Sequence, residues 1–250
     1  MSEFYDRMAS LYHLIFQDWD DSIERQAGQL TSIIEERWGT GCRSILDVSC
    51  GIGTQAIGLA KRGVAVSASD ASEGAIARAK AEAQRRGVEI DFSVCDMREA
   101  YAHHRRQFDV VISCDNSITH LLNDSDLLLA LQQIYDCTRP GGGCLLTVRD
   151  YDREERGTGL IKPYCVREED GKRYVIFQVW DFVGQIYDMA MYFVADDRSS
   201  ETLVTHVMRT KYNAVGTDHL LTLMRKAGFT KTERLDGRFY QPVLVGNREA

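Results

Sequence analysis

Between residues 44 and 148 the chain repeats one pattern: a short apolar, β-branched run followed by a segment with helical spacing. The runs are Ser44–Ser49, Val64–Ser69, Ile90–Val94, Asp109–Cys114 and Cys144–Val148. Such continuous apolar strands, too short to hide alone, need both faces covered, and helices between them supply the cover. The intervening helices read as a stretch to about Arg62, the Ala/Arg-rich Ala75–Arg86 closed by Gly87, and Asp126–Cys137. The last stops before Arg139-Pro140-Gly141-Gly142, which cannot continue a helix. The pattern predicts an α/β fold, a doubly wound and mostly parallel sheet.

Both ends depart from this alternation. Residues 1–40 carry Leu11, Leu14, Ile15, Ile23, Leu30, Ile33 and Ile34 at helical spacing, which predicts a helical cap of two helices broken near Gln17-Asp18-Trp19-Asp20. Beyond the core at 44–150, residues 153–212 hold three successive strand-like runs without helices, Arg173–Phe182, Ile186–Val194 and Leu203–Tyr212. They read as an antiparallel insertion. Residues 217–250 close the chain with a helix over about Thr217–Lys226, ended by Gly228, and strands near Thr230–Leu235 and Tyr240–Val245. No internal repeat or boundary interrupts these 250 residues, so one domain is expected.

Composition excludes several function classes. The net charge of −7 disfavours a partner read through its phosphate backbone, so no nucleic acid is expected. No apolar run has membrane-spanning length and the N-terminus lacks a signal-peptide core, which predicts a cytoplasmic protein without a membrane partner. The seven cysteines are dispersed and include no CxxC pair, and the six histidines show no HExxH spacing, so no metal is expected.

The first strand runs through Asp47-Val48-Ser49-Cys50 into Gly51-Ile52-Gly53. Two glycines there let the backbone turn sharply and approach a ligand at the carboxyl end of a strand. Alone the turn is ambiguous, because Gly51 to Ala56 also satisfies a dinucleotide pattern and such a pair is often only architecture. The acids beside it favour one ligand. Asp47 precedes the turn, Asp70 ends the second strand and Asp96 ends the third. A carboxylate after the second strand suits ribose hydroxyls. Asp96 is suited to an adenine amino group, with Met97 against the ring. A pyrophosphate would be repelled by Asp47, whereas a ligand with an ammonium and a sulfonium would be attracted.

Asp47-Val48-x-Cys50-Gly51-x-Gly53-Thr54, Ser69-Asp70-Ala71-Ser72, Phe108-Asp109-Val110-Val111 and Arg139-Pro140-Gly141-Gly142, in this order, resemble a class I S-adenosylmethionine-dependent methyltransferase. The resemblance implies a seven-stranded sheet whose last strand is antiparallel, and S-adenosylmethionine as cofactor, with S-adenosylhomocysteine as product.

Two further segments emerge at carboxyl ends of neighbouring strands: Asn116-Ser117-Ile118-Thr119-His120-Leu121 and Arg149-Asp150-Tyr151-Asp152. An arginine leaving a buried strand needs an anionic partner. That partner is either an internal carboxylate (Asp115, Asp150 or Asp152) or a substrate carboxylate. The pair of segments is similar to glycine and glycine/sarcosine N-methyltransferases. This similarity implies that Asn116 and Arg149 hold a small carboxylate-bearing amine such as glycine or sarcosine. It implies that Ser49, Asp70, Ala71, Asp96, Met97, Cys114 and His120 line the cofactor site with Asp47, Gly51 and Gly53. It places Tyr5, Tyr12 and Arg25 over the cofactor, Arg25 toward its carboxylate, although core packing accounts equally for the tyrosines. Tyr5 or Tyr12 would orient the nitrogen, and His120 or a water would take its proton. Asp115 stands where that family commonly has glycine. A homo-oligomer is compatible with the sequence. The competing readings are a methyltransferase of another metabolite, a nicotinamide-dependent oxidoreductase, which Asp47 disfavours, and a cofactor-binding regulator without turnover.

Overall fold

Asp18 starts the long helix of the N-terminal cap. Its backbone is extended and its carboxylate accepts the N–H of Asp21 at 3.0 Å, which satisfies one of the orphan donors of the first turn and is worth about 1 kcal/mol. The expected break near residue 18 is therefore real, but the segment before it is less helical than its spacing suggests. Helix α1 spans Ser2–Met8 only, and Tyr12–Ile15 forms a single 3-10 turn. The structure, a computed structural model, describes residues 2–199 and 201–250.

After α2 (Trp19–Trp38) the order is β1 (Ser44–Asp47), α3 (Thr54–Lys61), β2 (Ala65–Asp70), α4 (Glu73–Arg85), β3 (Asp91–Val94), α5 (Ala100–His104) and β4 (Phe108–Ser113). Next come α6 (Asp124–Cys137), β5 (Thr138–Thr147), β6 (Leu160–Glu169), β7 (Lys172–Val183), β8 (Ile186–Asp196), β9 (Val204–Asn213), α7 (Thr217–Ala227), β10 (Thr230–Leu235) and β11 (Val243–Asn247). The main sheet has seven strands in the order β10-β11-β5-β4-β1-β2-β3. Strand β11 is antiparallel to both its neighbours, and the other pairings are parallel.

The strands bury both faces, as their continuous apolar character requires. Ile45, Val110, Ile112 and Leu145 face α2, α3 and α4, while Leu46, Val111 and Leu146 face α6 and α7. All seven are at most 1% exposed, and each fully buried side chain of this size contributes about 1.5–3 kcal/mol.

The structure differs from the sequence expectation at three places. Strand β5 begins at Thr138, through the Pro-Gly-Gly segment expected as a turn. The ladder is irregular there, Gly141 adopts φ 76°, and backbone bonds link Gly141 and Gly142 to Arg248. The five-residue helix α5 was not anticipated. The expected three strands after residue 153 are four, forming a separate antiparallel sheet in the order β6-β7-β8-β9. The overlooked strand, β6, contains Pro163 at a register shift and lies at the sheet edge, where a missing N–H is tolerated. Phe4, Met8 and Leu14 of the N-terminal segment pack with this small sheet and Tyr151. Among the described residues no helix is long and apolar enough to cross a membrane.

Candidate active site

The glycine turn after β1 is held by the second strand. Gly51 N–H donates to Asp70 Oδ2 and Ser72 N–H to Asp70 Oδ1, both at 2.9 Å, while Cys50 N–H donates to the Ser69 carbonyl at 3.0 Å. Gly51 has φ 53°, and a Cβ there would meet only Tyr12 Cε1, at 3.4 Å. Gly53 has φ 95° and a different task. A Cβ on it would lie 2.9 Å from Ile57 Cδ1, so this glycine lets α3 begin against α4 and does not reach the ligand pocket.

The turn forms one wall of an inner pocket. Tyr5, Tyr12, Ser49, Gly51, Asp70, Ala71, Met97 and His120, all expected from the sequence, line it together with Gln55, Asp115 and Ser117. An outer cleft of about 1160 Å³ adjoins it, lined by Arg25, Asn116, Arg149 and side chains of the small sheet. Tyr5, Tyr12 and Asp115 belong to both cavities.

The remaining expected residues stand elsewhere. Cys114 packs in the core with Ile112 and Leu145, and its carbonyl accepts from the Ser117 hydroxyl at 2.8 Å, so it shapes the turn from behind. Asp96 turns away from the pocket. Arg98 Nη2 donates to its Oδ2 at 2.7 Å and the Arg98 N–H and Nε to its Oδ1, which lowers the Asp96 pKa although burial opposes the shift. Met97 alone represents this segment in the pocket. Arg25 lies on the outer cleft, half exposed and 3.7 Å from Asp21.

His120 is not placed to take a proton. Its Nδ1 donates to the Lys211 carbonyl at 3.3 Å, so Nε2 accepts from the Tyr5 hydroxyl at 2.8 Å. Burial pulls its pKa down to about 3, and the imidazole is neutral at any pH where a methyl acceptor would be deprotonated. Its role in this geometry is to anchor α1.

The inner pocket is acidic without a counter-charge. Asp47 is fully buried, accepts the Ser49 N–H at 3.1 Å through Oδ1, and leaves Oδ2 without a partner. Burial pushes its carboxyl up to about 8, with Asp70 and Asp115 adding to the rise. The pKa values of Asp70 and Asp115 are also raised by burial. None of the three carboxylates meets an Arg, Lys or His in an ion pair among the described residues. Burying acids this way is unfavourable unless a cation arrives. Asp47, expected at the cofactor site, lies behind the pocket wall and not on its lining; the lining acids Asp70 and Asp115 and the open face of Gly51 fit a ribosylated ligand with positive charge, the donor the motifs imply. The inner pocket is narrow, and Tyr5 and Tyr12 are among the side chains that line it.

At the outer cleft, Asn116 Oδ1 accepts the Arg149 N–H at 3.0 Å and its Nδ2 donates to the Tyr151 hydroxyl at 2.7 Å. Asn116 thus fixes the strand end from which Arg149 leaves. The guanidinium does have an internal carboxylate, but it is Glu154 (3.1 Å), not Asp115, Asp150 or Asp152. Asp150 instead meets Arg234 at 2.6 Å. Glu154 is shared with Lys162 at 2.9 Å, which leaves the triad one net positive charge. Arg149 Nε is buried without a partner, and Trp180 lies under the guanidinium carbon at 4.8 Å. Trp180, Tyr164, Tyr187, Tyr212 and Tyr240 complete an aromatic wall that sequence reasoning missed. All but Tyr240, which precedes β11, stand on strands of the small sheet, and nothing local told that this sheet faces the cleft.

Residues 45–142 match the family model described as a methyltransferase domain. In architecture the chain resembles DesVI of Streptomyces venezuelae, with TM-score 0.83 at 20% identity over 97% of this chain and 98% of that one. The chain is built on the class I methyltransferase fold. The sugar N-methyltransferase KedS8 from Streptoalloteichus sp ATCC 53650 is similar too, with TM-score 0.79 at 20% identity, covering 96% and 93% of the two chains. In sequence, the glycine/sarcosine N-methyltransferase of Parasynechococcus marenigrum (strain WH8102) is 31% identical over 164 residues, which are 63% of this chain and 57% of the relative. The chain spans about half the length of the curated relatives it matches.

Proposed function

We propose that this protein is an S-adenosylmethionine-dependent N-methyltransferase whose acceptor is a small amine bearing an anionic group. The observation that carries the reading is the pairing of an acidic pocket with a locally positive corner of the cleft. The pocket, without counter-ions, suits the cationic donor, and the net positive charge of the Arg149, Glu154 and Lys162 cluster, where Arg149 lines the cleft, suits the anionic group of an acceptor. Bound S-adenosylmethionine supplies an electrophilic methyl carbon on a sulfonium that leaves as a neutral thioether. The chain's own task is therefore positional. Asp70 ties the Gly51 turn to β2, and Asn116 sets the exit of Arg149. Tyr5 and Tyr12 close the junction between the compartments against water.

A second reading, an amino sugar as acceptor, is favoured by the size of the cleft. About 1160 Å³ walled by Trp180, Tyr164 and Tyr187 is far more than an amino acid fills, and aromatic faces suit a sugar ring. The sugar N-methyltransferase KedS8 shares the fold over most of its length. A turnover panel tests both readings: S-adenosylmethionine with glycine, sarcosine, dimethylglycine, their decarboxylated analogues, a nucleotide-linked amino sugar and a catechol control. Turnover of the catechol alone would sink the N-methyltransferase reading.

A further inference from the structure

We propose that Asp115 receives the acceptor's amino group, binding it as an ammonium and taking the proton that must leave before the nitrogen attacks. This inference deepens the proposed N-methyl transfer and rests on it.

The first argument is position. Nitrogen and methyl carbon must meet where the donor pocket opens into the acceptor cleft. Among the described residues Tyr5, Tyr12 and Asp115 line both. Burial raises the pKa of both tyrosines, so neither hydroxyl is an anion near neutral pH. Asp115 is the junction residue able to hold a positive charge and to accept its proton.

The second argument is the company it keeps. Gln55 Nε2 donates to Asp115 Oδ2 at 3.0 Å and the Tyr240 hydroxyl donates to Oδ1. Both partners are neutral, so the carboxylate is oriented but not neutralised, and each oxygen keeps a lone pair. Gln55 is itself held by Gln26, its Nε2 donating to Gln26 Oε1 at 2.7 Å. The ionisable groups facing Asp115 are Tyr12 from the 3-10 turn, Asp47 from β1, its own neighbour Cys114, Tyr164 from β6 and Tyr240 before β11. None is a cation. A carboxylate so surrounded is short of a positive partner, and burial shifts its pKa upward, toward the range where a proton can be taken and released.

The third argument is the backbone. Asp115 has φ 58° and Asn116 φ 66°, both in the left-handed region where glycine would sit without strain. Thr147 holds the bend, its hydroxyl accepting the Asp115 N–H at 2.8 Å and its carbonyl the Asn116 N–H at 2.9 Å. A side chain kept at a position built for glycine is the expected signature of a functional group.

The step balances. The acceptor enters as an ammonium and passes one proton to Asp115. The nitrogen lone pair forms the bond to the methyl carbon while the carbon–sulfur pair departs with sulfur. The methylated product leaves as an ammonium, and the Asp115 proton returns to water beside Tyr240, 53% exposed at the rim.

The test compares Asp115→Asn and Asp115→Gly with the wild type, using an amine that the wild type methylates. Asp115→Gly relieves the backbone and guards against a variant that merely fails to fold. Both variants should keep affinity for S-adenosylhomocysteine by calorimetry within about threefold, yet lose about 100-fold in kcat/KM at neutral pH. The loss should shrink as pH approaches the pKa of the amine, because free amine then no longer needs a proton acceptor. Unchanged kcat/KM with an unchanged pH profile overturns the assignment. So does an equal loss of S-adenosylhomocysteine affinity, which would mean that the Asp115 carboxylate serves the donor and not the acceptor's nitrogen. Failure of the wild type with every amine, but turnover of a hydroxyl acceptor, would instead remove the N-methyl reading before any variant is made.

Discussion

Tyr5 and His120 are joined across 115 positions of sequence: the phenol donates to the imidazole Nε2 at 2.8 Å and fastens helix α1 over the pocket. Asp6 makes a second fastening, its Oδ1 accepting the Ser72 hydroxyl at 2.6 Å and the Gly74 N–H at 2.9 Å. Tyr5→Phe would strand a buried imidazole nitrogen and is expected to cost about 1–3 kcal/mol in denaturant unfolding. It should also speed amide exchange in residues 2–8. Unaltered exchange there would show that α1 is held by packing alone.

His120 also sets a pH slope. Its pKa is depressed to about 3 in the folded protein. Between about 6.5, the ordinary histidine value, and 3 the unfolded chain therefore binds the extra proton. Stability should rise with pH across that window, and replacing His120 with Gln should flatten the rise. Thermal melts at stepped pH read this directly, and an identical slope in the variant would contradict it.

Asp47 predicts the opposite trend. Its pKa is raised to about 8 by burial, so the folded state holds the extra proton between about 4 and 8. The unliganded protein should lose this stability as pH rises through the window. Asp47→Asn is expected to raise the melting temperature more at pH 8 than at pH 5. The same change should weaken binding of the cationic donor by about tenfold or more. A stabilised variant with full donor affinity would mean that Asp47 serves the fold only.

Arg149 is expected to act on the acceptor. Arg149→Ala should raise KM for an anionic amine about 10–100-fold, the range of a charge-assisted hydrogen bond, with KM for the donor unchanged. Arg149→Lys should recover little, since a point charge replaces neither the fork nor the stacking on Trp180. Equal, small changes in both KM values would leave Arg149 as the structural partner of Glu154.

Two acids expected at the donor now separate. Asp70 carries the Gly51 and Ser72 N–H bonds inside the pocket, whereas Asp96 is engaged by Arg98 outside it. Asp70→Asn should weaken donor binding by at least about tenfold and Asp96→Asn by much less. Calorimetry with S-adenosylmethionine decides it, and a reversed order would restore Asp96 to the adenine.

Local periodicity and turn chemistry made part of this protein legible in its residues alone. Apolar runs such as Ser44–Ser49 declare strands buried on both faces. The Gly51 turn declares a close backbone approach and Asp70 an acid at the end of β2 beside it; all lie within one βαβ unit, so short-range pattern suffices. Residues whose direction depends on side-chain packing, near or far in sequence, escaped that logic. Asp96 was free to face either way until Arg98 claimed it, and Cys114 sank into the core because its neighbours there are apolar. Edge strand β6 hid behind Pro163, and with it the link between the small sheet and the cleft. Asp115 between Gln55 and Tyr240 is a meeting of groups far apart in the chain, while Glu154 between Arg149 and Lys162 joins groups close in sequence whose approach is set by the path of the chain into β6. A charge's partner is set by distance through space, and only the folded chain fixes that distance.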